Sequence, residues 1–238
     1  MSNIKENLKN ERKKIKELTF KQKIEYIKNY YSFHIIGSII FIAIVGWALN
    51  HYIFNPPPRT FINVSFYGPF ISHELREIFS DDLNLHIVDQ ELGNYAAVVD
   101  NFFFSGDPQM DMAITQRFMA MVSIADLDIL IISPDQKEWL IGFGLAMDLR
   151  QALTPNQLAG LYEIGAVHYG RVAITDELNQ FIEYEDPAPF GIVIGYIEYF
   201  NNLLKDFDVN FENWVMVVMV NNNRESPIQA FLHHVIKK

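Results

Sequence analysis

Asp128-Ile129-Leu130-Ile131-Ile132-Ser133 (DILIIS) is followed at once by Pro134. A run this short, apolar throughout and closed by Ser-Pro reads as a strand buried on both faces, the profile of a central strand in a parallel sheet. Upstream, Met110 to Ala125 shows helical spacing, with Met112, Phe118, Met119 and Val122 as inner positions. Downstream, Pro134 to Gly142 suits a helix with Trp139 and Leu140 turned inward, and Trp214 to Val220 (WVMVVMV) is a second buried run.

Working outward, Phe61 to Tyr67 (FINVSFY) and Tyr95 to Phe104 (YAAVVDNFFF) read as strands, with Phe102 to Phe104 in the core rather than on a docking patch. Ile71, Leu75, Ile78 and Phe79 outline a helical face, and Leu83 to Val88 (LNLHIV) alternates as a half-buried strand does. Met147 to Leu153 and Pro155 to Leu161 are short helices, the second with Thr154 as N-cap and proline in the first position. Gly170 to Thr175 and Gly191 to Ile194 are short strands. Ser226 is placed to cap a last helix over Pro227 to Lys238, with Ile228, Phe231, Leu232 and Val235 on one face. Strands alternate with helices, so the fold class is α/β with a mainly parallel sheet joined by right-handed crossovers.

Ahead of this body, no Asp, Glu, Lys or Arg occurs from Asn29 to Pro58. Within that stretch the twenty residues Ile35 to Phe54 (IIGSIIFIAIVGWALNHYIF) hold eleven Ile, Leu, Val or Phe. At about 1.5 Å per residue they span the roughly 30 Å of a hydrocarbon core. Tyr30 and Tyr31 on one side, Trp47 and Tyr52 on the other, bracket the span like an aromatic belt, and Pro56-Pro57-Pro58 ends it. A buried core helix and a cleaved signal peptide, for which Gly46-Trp47-Ala48 would be the small-x-small triplet, are the competing readings. The expected organisation is a basic amphipathic segment over 1–30, a transmembrane helix over 31–54, a proline-rich linker over 55–60 and an α/β domain over 61–238.

The formal net charge of −10 divides unevenly: residues 1–30 carry nine basic side chains against four acids, leaving −15 for the rest. Lys16, Lys21, Lys23 and Lys28 precede the span and only Arg59 follows it closely, which puts the N-terminus in the cytoplasm and the acidic domain outside the cell membrane. Thr19 and Gln22 fit a capping box, and Ile24, Ile27 and Tyr31 follow at helical spacing, so the head either lies on anionic lipid or serves only as a topology signal. Residues 1–14 are expected to be loosely ordered. A body at −15 is a poor match for nucleic-acid phosphates. There is no cysteine, which excludes disulfides and thiolate chemistry.

Ile114 to Ser133 (ITQRFMAMVSIADLDILIIS) resembles a helix–strand unit of type II extracytoplasmic solute-binding proteins. Phe143-Gly144-Leu145-Ala146-Met147-Asp148-Leu149 is similar to the segment that follows, and Val215 to Ile236, with Ala230-Phe231-Leu232, to the return strand and its helix. The stretch LTFKQKIEYIKNYYSFHIIG, from Leu18 to Gly37, also resembles membrane-anchored Firmicutes proteins bearing such a domain. The resemblance covers about half of the outer domain. It implies a periplasmic-binding-protein-like sheet and capture of a small polar solute for a membrane partner, a permease or a sensor. The chain is much shorter than a two-lobed binding protein, which leaves a protein-docking subunit as the alternative.

In an open α/β sheet, ligands sit beyond the carboxyl ends of the strands. Ser65, Tyr67, Ser133, Asp135, Tyr196 and Asn221 to Asn223 would stand there and hydrogen-bond a polar solute, or else serve only as turn residues. No catalytic set emerges: neither a phosphate loop nor a Gly-x-Ser-x-Gly elbow is present. No cofactor or metal is expected. His233 and His234 point about 100° apart on a helix. His73, His86 and His168 are scattered, and Asp81-Asp82 and Glu183 to Asp186 lack calcium-loop spacing.

Overall fold

A computed structural model of the 238-residue chain describes residues 19–88, 93–176, 180–207 and 210–236. The expectations for residues 1–14 and for the lysines through Lys16 fall outside that set. The chain divides between Pro57 and Pro58 into two compact units.

The first unit contains α1 (Phe20–Leu49), continued by a π-helical turn over Asn50–Phe54. Gln22 Oε1 accepts from the Thr19 amide (3.0 Å) and hydroxyl (2.8 Å), closing the N-terminus as the sequence predicts. The 24 residues Tyr31–Phe54 are long and apolar enough to cross a membrane, and none of them is buried against other residues. The burial that a core helix would show is not seen in this stretch.

The second unit runs β1 (Arg59–Gly68), α2 (His73–His86), β2 (Tyr95–Phe103), α3 (Pro108–Ser123), β3 (Ile129–Ile132), α4 (Lys137–Gly142), α5 (Leu149–Ala152), α6 (Pro155–Glu163), β4 (Val167–Gly170), β5 (Ala173–Thr175), β6 (Phe181–Tyr184), β7 (Ala188–Val193), α7 (Glu198–Leu204), β8 (Val215–Val218) and α8 (Glu225–Ile236). Six strands form one mixed sheet in the order β2-β1-β3-β8-β7-β4, and β5 and β6 form a separate pair. β1 runs parallel to both β2 and β3, while β8 is antiparallel to β3 and β7, and β4 to β7. Four strands thus share one direction and two oppose it, a mostly parallel sheet whose parallel pairings are confined to β2-β1-β3.

Strand alternation divides the core. Ile62, Val64, Phe66, Ile129, Ile131, Met216 and Val218 meet α2, α5, α6, α7 and α8 on one face. Tyr67, Leu130, Ile132, Val215 and Val217 meet α3 and α4 on the other. Both faces of β3 and β8 are covered, which is why DILIIS and WVMVVMV are apolar without alternation.

Helix starts follow local chemistry. Ser72 Oγ accepts from the Leu75 amide, Asp107 Oδ1 from those of Gln109 and Met110, and Thr154 and Gln157 cap each other reciprocally. At the end of α3 the Asp126 amide reaches Met121 O and that of Ala125 reaches Val122 O, with Ala125 left-handed at φ 55°.

Four local expectations are corrected, the first being that Met112 and Met119 of α3, read as inner positions, are exposed while Phe118 is buried. Leu83 to Val88 is not a strand: α2 runs to His86, because Leu75, Phe79 and Leu83 form one buried helical row and Leu85 is 72% exposed. Gly170 to Thr175 splits between β4 and β5, which belong to different sheets. The last helix starts at Glu225, so Ser226 lies inside it rather than capping it.

Candidate functional site

The residues anticipated at the carboxyl edge of the sheet do not converge. Ser65 lies in mid-strand, paired with Leu130, fully buried, its hydroxyl donating to Asn63 Oδ1 (2.9 Å). Tyr67 is 3% exposed among Phe102, Phe104, Phe118 and Trp139, and burial pushes its phenol up to about 12. Ser133 and Asp135 do follow β3 at the carboxyl edge. Ser133 Oγ is buried with no partner at hydrogen-bond geometry, yet the hydroxyl is near enough to hold the Asp135 carboxyl below its usual range. Tyr196 follows β7 at that edge and is 58% exposed. Asn221 is at the opposite edge: β8 is antiparallel, so the chain leaves it beside the start of β3, where Asn221 Nδ2 donates to Val122 O.

Gly68, at φ +148°, closes β1 so tightly that a Cβ there would lie 2.5 Å from Ser133 Oγ. Only glycine permits this approach.

Three other places hold organised chemistry. At the amino edge, Asp128 is fully buried. Its Oδ2 accepts from the Asn63 amide (2.8 Å) and from Arg224 (2.9 Å), and Arg224 also reaches Asp126 (2.6 Å). Among the described residues Asp128 Oδ1 has no hydrogen-bond partner. Burial outweighs the Asn63 and Arg224 contributions and raises the Asp128 carboxyl above its ordinary range.

At the far end of α8, Asp82 gathers Tyr199, His234 and His86. The Tyr199 hydroxyl donates to Asp82 Oδ2 (2.5 Å), His234 Nε2 is 3.1 Å from the same oxygen, and His86 Nδ1 is 3.1 Å from Oδ1. Partial burial pulls the Asp82 carboxyl upward, but the hydrogen bonds of Tyr199 and His234 and the charges of the two imidazoles together hold it below the usual range. Burial and the Asp82 hydrogen bond push the Tyr199 hydroxyl up. Sequence reasoning set Asp82, His86 and His234 aside one by one and did not weigh Tyr199. Their signal was the i, i+4 spacing of Asp82 and His86, visible only once this stretch is read as helix.

The third place is a groove of about 680 Å³ between α4 and the β5–β6 pair, lined by Glu138, Trp139, Phe143, Thr175, Phe181 and Tyr184. Phe143 is 67% exposed, Phe181 58% and Tyr184 56%. No family model, curated protein or solved structure matches this chain.

Proposed function

We propose that this chain is a single-pass, membrane-anchored interaction subunit. The Tyr31–Phe54 helix lies in the bilayer, the N-terminus is cytoplasmic, and an acidic α/β body of solute-binding-protein type outside the cell docks a segment of a partner membrane protein. The parallel β2-β1-β3 trio with helices on both faces supports the solute-binding-type sheet. The lysines before the span, against the single nearby Arg59 after it, support the orientation.

The observation that carries the docking reading is the concentration of exposed aromatics in the α4/β5–β6 groove. Contiguous apolar exposure of this kind marks interaction surfaces. Glu138 lines the groove, and Glu183, Glu185 and Asp186 accompany its aromatics on or beside β6. The matching ligand is therefore an apolar segment flanked by Lys or Arg.

A photo-crosslinking amino acid at Phe143 or at Phe181 of the full chain, in its own membrane, tests this. Both positions should yield the same adduct, the captured segment should be apolar with basic flanks, and Trp139→Glu should abolish it. The exposed control Ile124 should yield none. Equal labelling at Ile124, or capture of an acidic segment, overturns the reading.

One observation favours the alternative, capture of a small polar solute. A depression of about 350 Å³ at the amino edge is lined by Met147, Gln151, Asn222, Asn223, Glu225 and Gln229. Asn222 Nδ2 donates to Met219 O and Gln229 Nε2 to Ala152 O, which leaves their side-chain oxygens as acceptors in a depression that Glu225 also lines. Such a surface suits a donor-rich solute, an amine or a polyol. On this reading such compounds, and not carboxylic acids, raise the thermal midpoint of the full chain.

A further inference from the structure

We propose that Asp82, His86 and His234 form a binding site for a divalent transition-metal ion, which staples the last helix to α2. The proposal is independent of the docking groove.

Asp82 and His86 stand one helical turn apart on α2, and α8 delivers His234 from 152 residues away. One ligand atom from each of the three residues lies within 4.8 Å of the other two. The two carboxylate–imidazole separations are each 3.1 Å. Ligands of a tetrahedral ion bound at about 2.0–2.1 Å are roughly 3.3 Å apart, and each imidazole already stands near that spacing from the carboxylate, His234 from Oδ2 and His86 from Oδ1. Bringing the imidazoles together around an ion falls mainly to His86, whose side chain is 40% exposed against 10% for His234.

The pre-organisation lies in the surroundings. Tyr199 meets the His234 ring edge-on at 5.1 Å and holds it, whereas the stacking of His86 on His234 at 5.0 Å and 24° is what His86 leaves on coordinating, since an ion lies in the plane of each ligating ring. The Tyr199 hydroxyl fixes Asp82 through Oδ2, the kind of outer contact that orients a metal-ligating carboxylate. In the free protein, His86 Nδ1 also lies 2.9 Å from the carbonyl oxygen of Asp82. To ligate through Nδ1, the neutral ring gives up that contact and carries its proton on Nε2.

Two imidazoles and one carboxylate select Zn²⁺, Co²⁺, Ni²⁺ or Cu²⁺ over Mg²⁺ and Ca²⁺, which prefer all-oxygen shells. Three protein ligands leave a fourth position for water, on the side where His86 is open to solvent.

The test uses the full chain, purified without a polyhistidine tag and stripped with chelator. Titration with Zn²⁺ should show one ion per chain, and at a hundredfold excess over Kd the thermal midpoint should rise by roughly 5–10 °C. Mg²⁺ and Ca²⁺ should leave the midpoint unchanged. His86→Ala should remove the Zn²⁺-dependent shift while leaving the metal-free midpoint within about 2 °C, since the side chain is largely at the surface. Tyr199→Phe should weaken Zn²⁺ binding about tenfold without changing its stoichiometry. No Zn²⁺ uptake at 100-fold molar excess, a shift of the same size with Ca²⁺, or full uptake by His86→Ala overturns the proposal.

Discussion

The last helix is held at its two ends by two carboxylates whose proton affinities are shifted in opposite directions. Before its first turn, Arg224 grips Asp128, which is fully buried and raised; near its last turn, His234 meets Asp82, which is a quarter exposed and lowered. Asp128 has donors on one oxygen only, whereas both oxygens of Asp82 are engaged. The difference shows what burial does to an acid. A carboxylate removed from water with too few donors is driven toward neutrality and becomes a costly structural joint. One left part-open with a phenol and two imidazoles stays ionised and keeps ligand character.

The comparison breaks most readily at Arg224. Arg224→Ala leaves Asp128 buried without a counter-charge and should cost about 3–5 kcal/mol, the usual loss when one partner of a buried pair is removed. Urea unfolding followed by Trp139 and Trp214 fluorescence measures it, and a cost under about 1 kcal/mol would mean that Asp128 is already neutral in the native state. Asp82→Ala, measured the same way in chelator, should cost less, about 1–3 kcal/mol. It strands the Tyr199 hydroxyl, but water can reach the site. If the two costs came out in reverse order, the contrast drawn above would be mistaken.

The finest test is a slope. Because the folded-state pKa of Asp128 is raised, the native protein holds that proton more tightly than the unfolded chain does. Its contribution to stability is complete below the unfolded value and is lost as pH rises through the folded one. Asp128→Asn does not titrate. The stability of the wild-type chain relative to this variant should therefore fall as pH rises above the unfolded carboxyl value of about 4. A difference that grows with pH contradicts the raised assignment.

Much of the fold was legible locally. DILIIS and WVMVVMV are strands covered on both faces, Thr154-Pro155 begins a helix, and Tyr31–Phe54 has the length and composition of a membrane span. Leu83 to Val88 misled because Leu83, Leu85 and Ile87 alternate with polar neighbours. The competing row Leu75, Phe79, Leu83 won, since packing against the sheet rewards that face and leaves Leu85 outside. Losing the helix there also hid the Asp82–His86 spacing. Asn221 was assigned to the wrong edge because a buried strand reads the same in either direction.

The sequence by itself determined the apolar span, the acidic body, the buried central strands and several helix starts, because each depends on neighbours within a turn or two. Only the tertiary structure decided that β8 runs antiparallel, that Gly68 packs onto Ser133, and that residues 82, 86, 199 and 234 meet around one carboxylate. Those outcomes depend on how helices and strands distant in the chain fill a shared core, and side-chain volume across layers sets them rather than any local pattern.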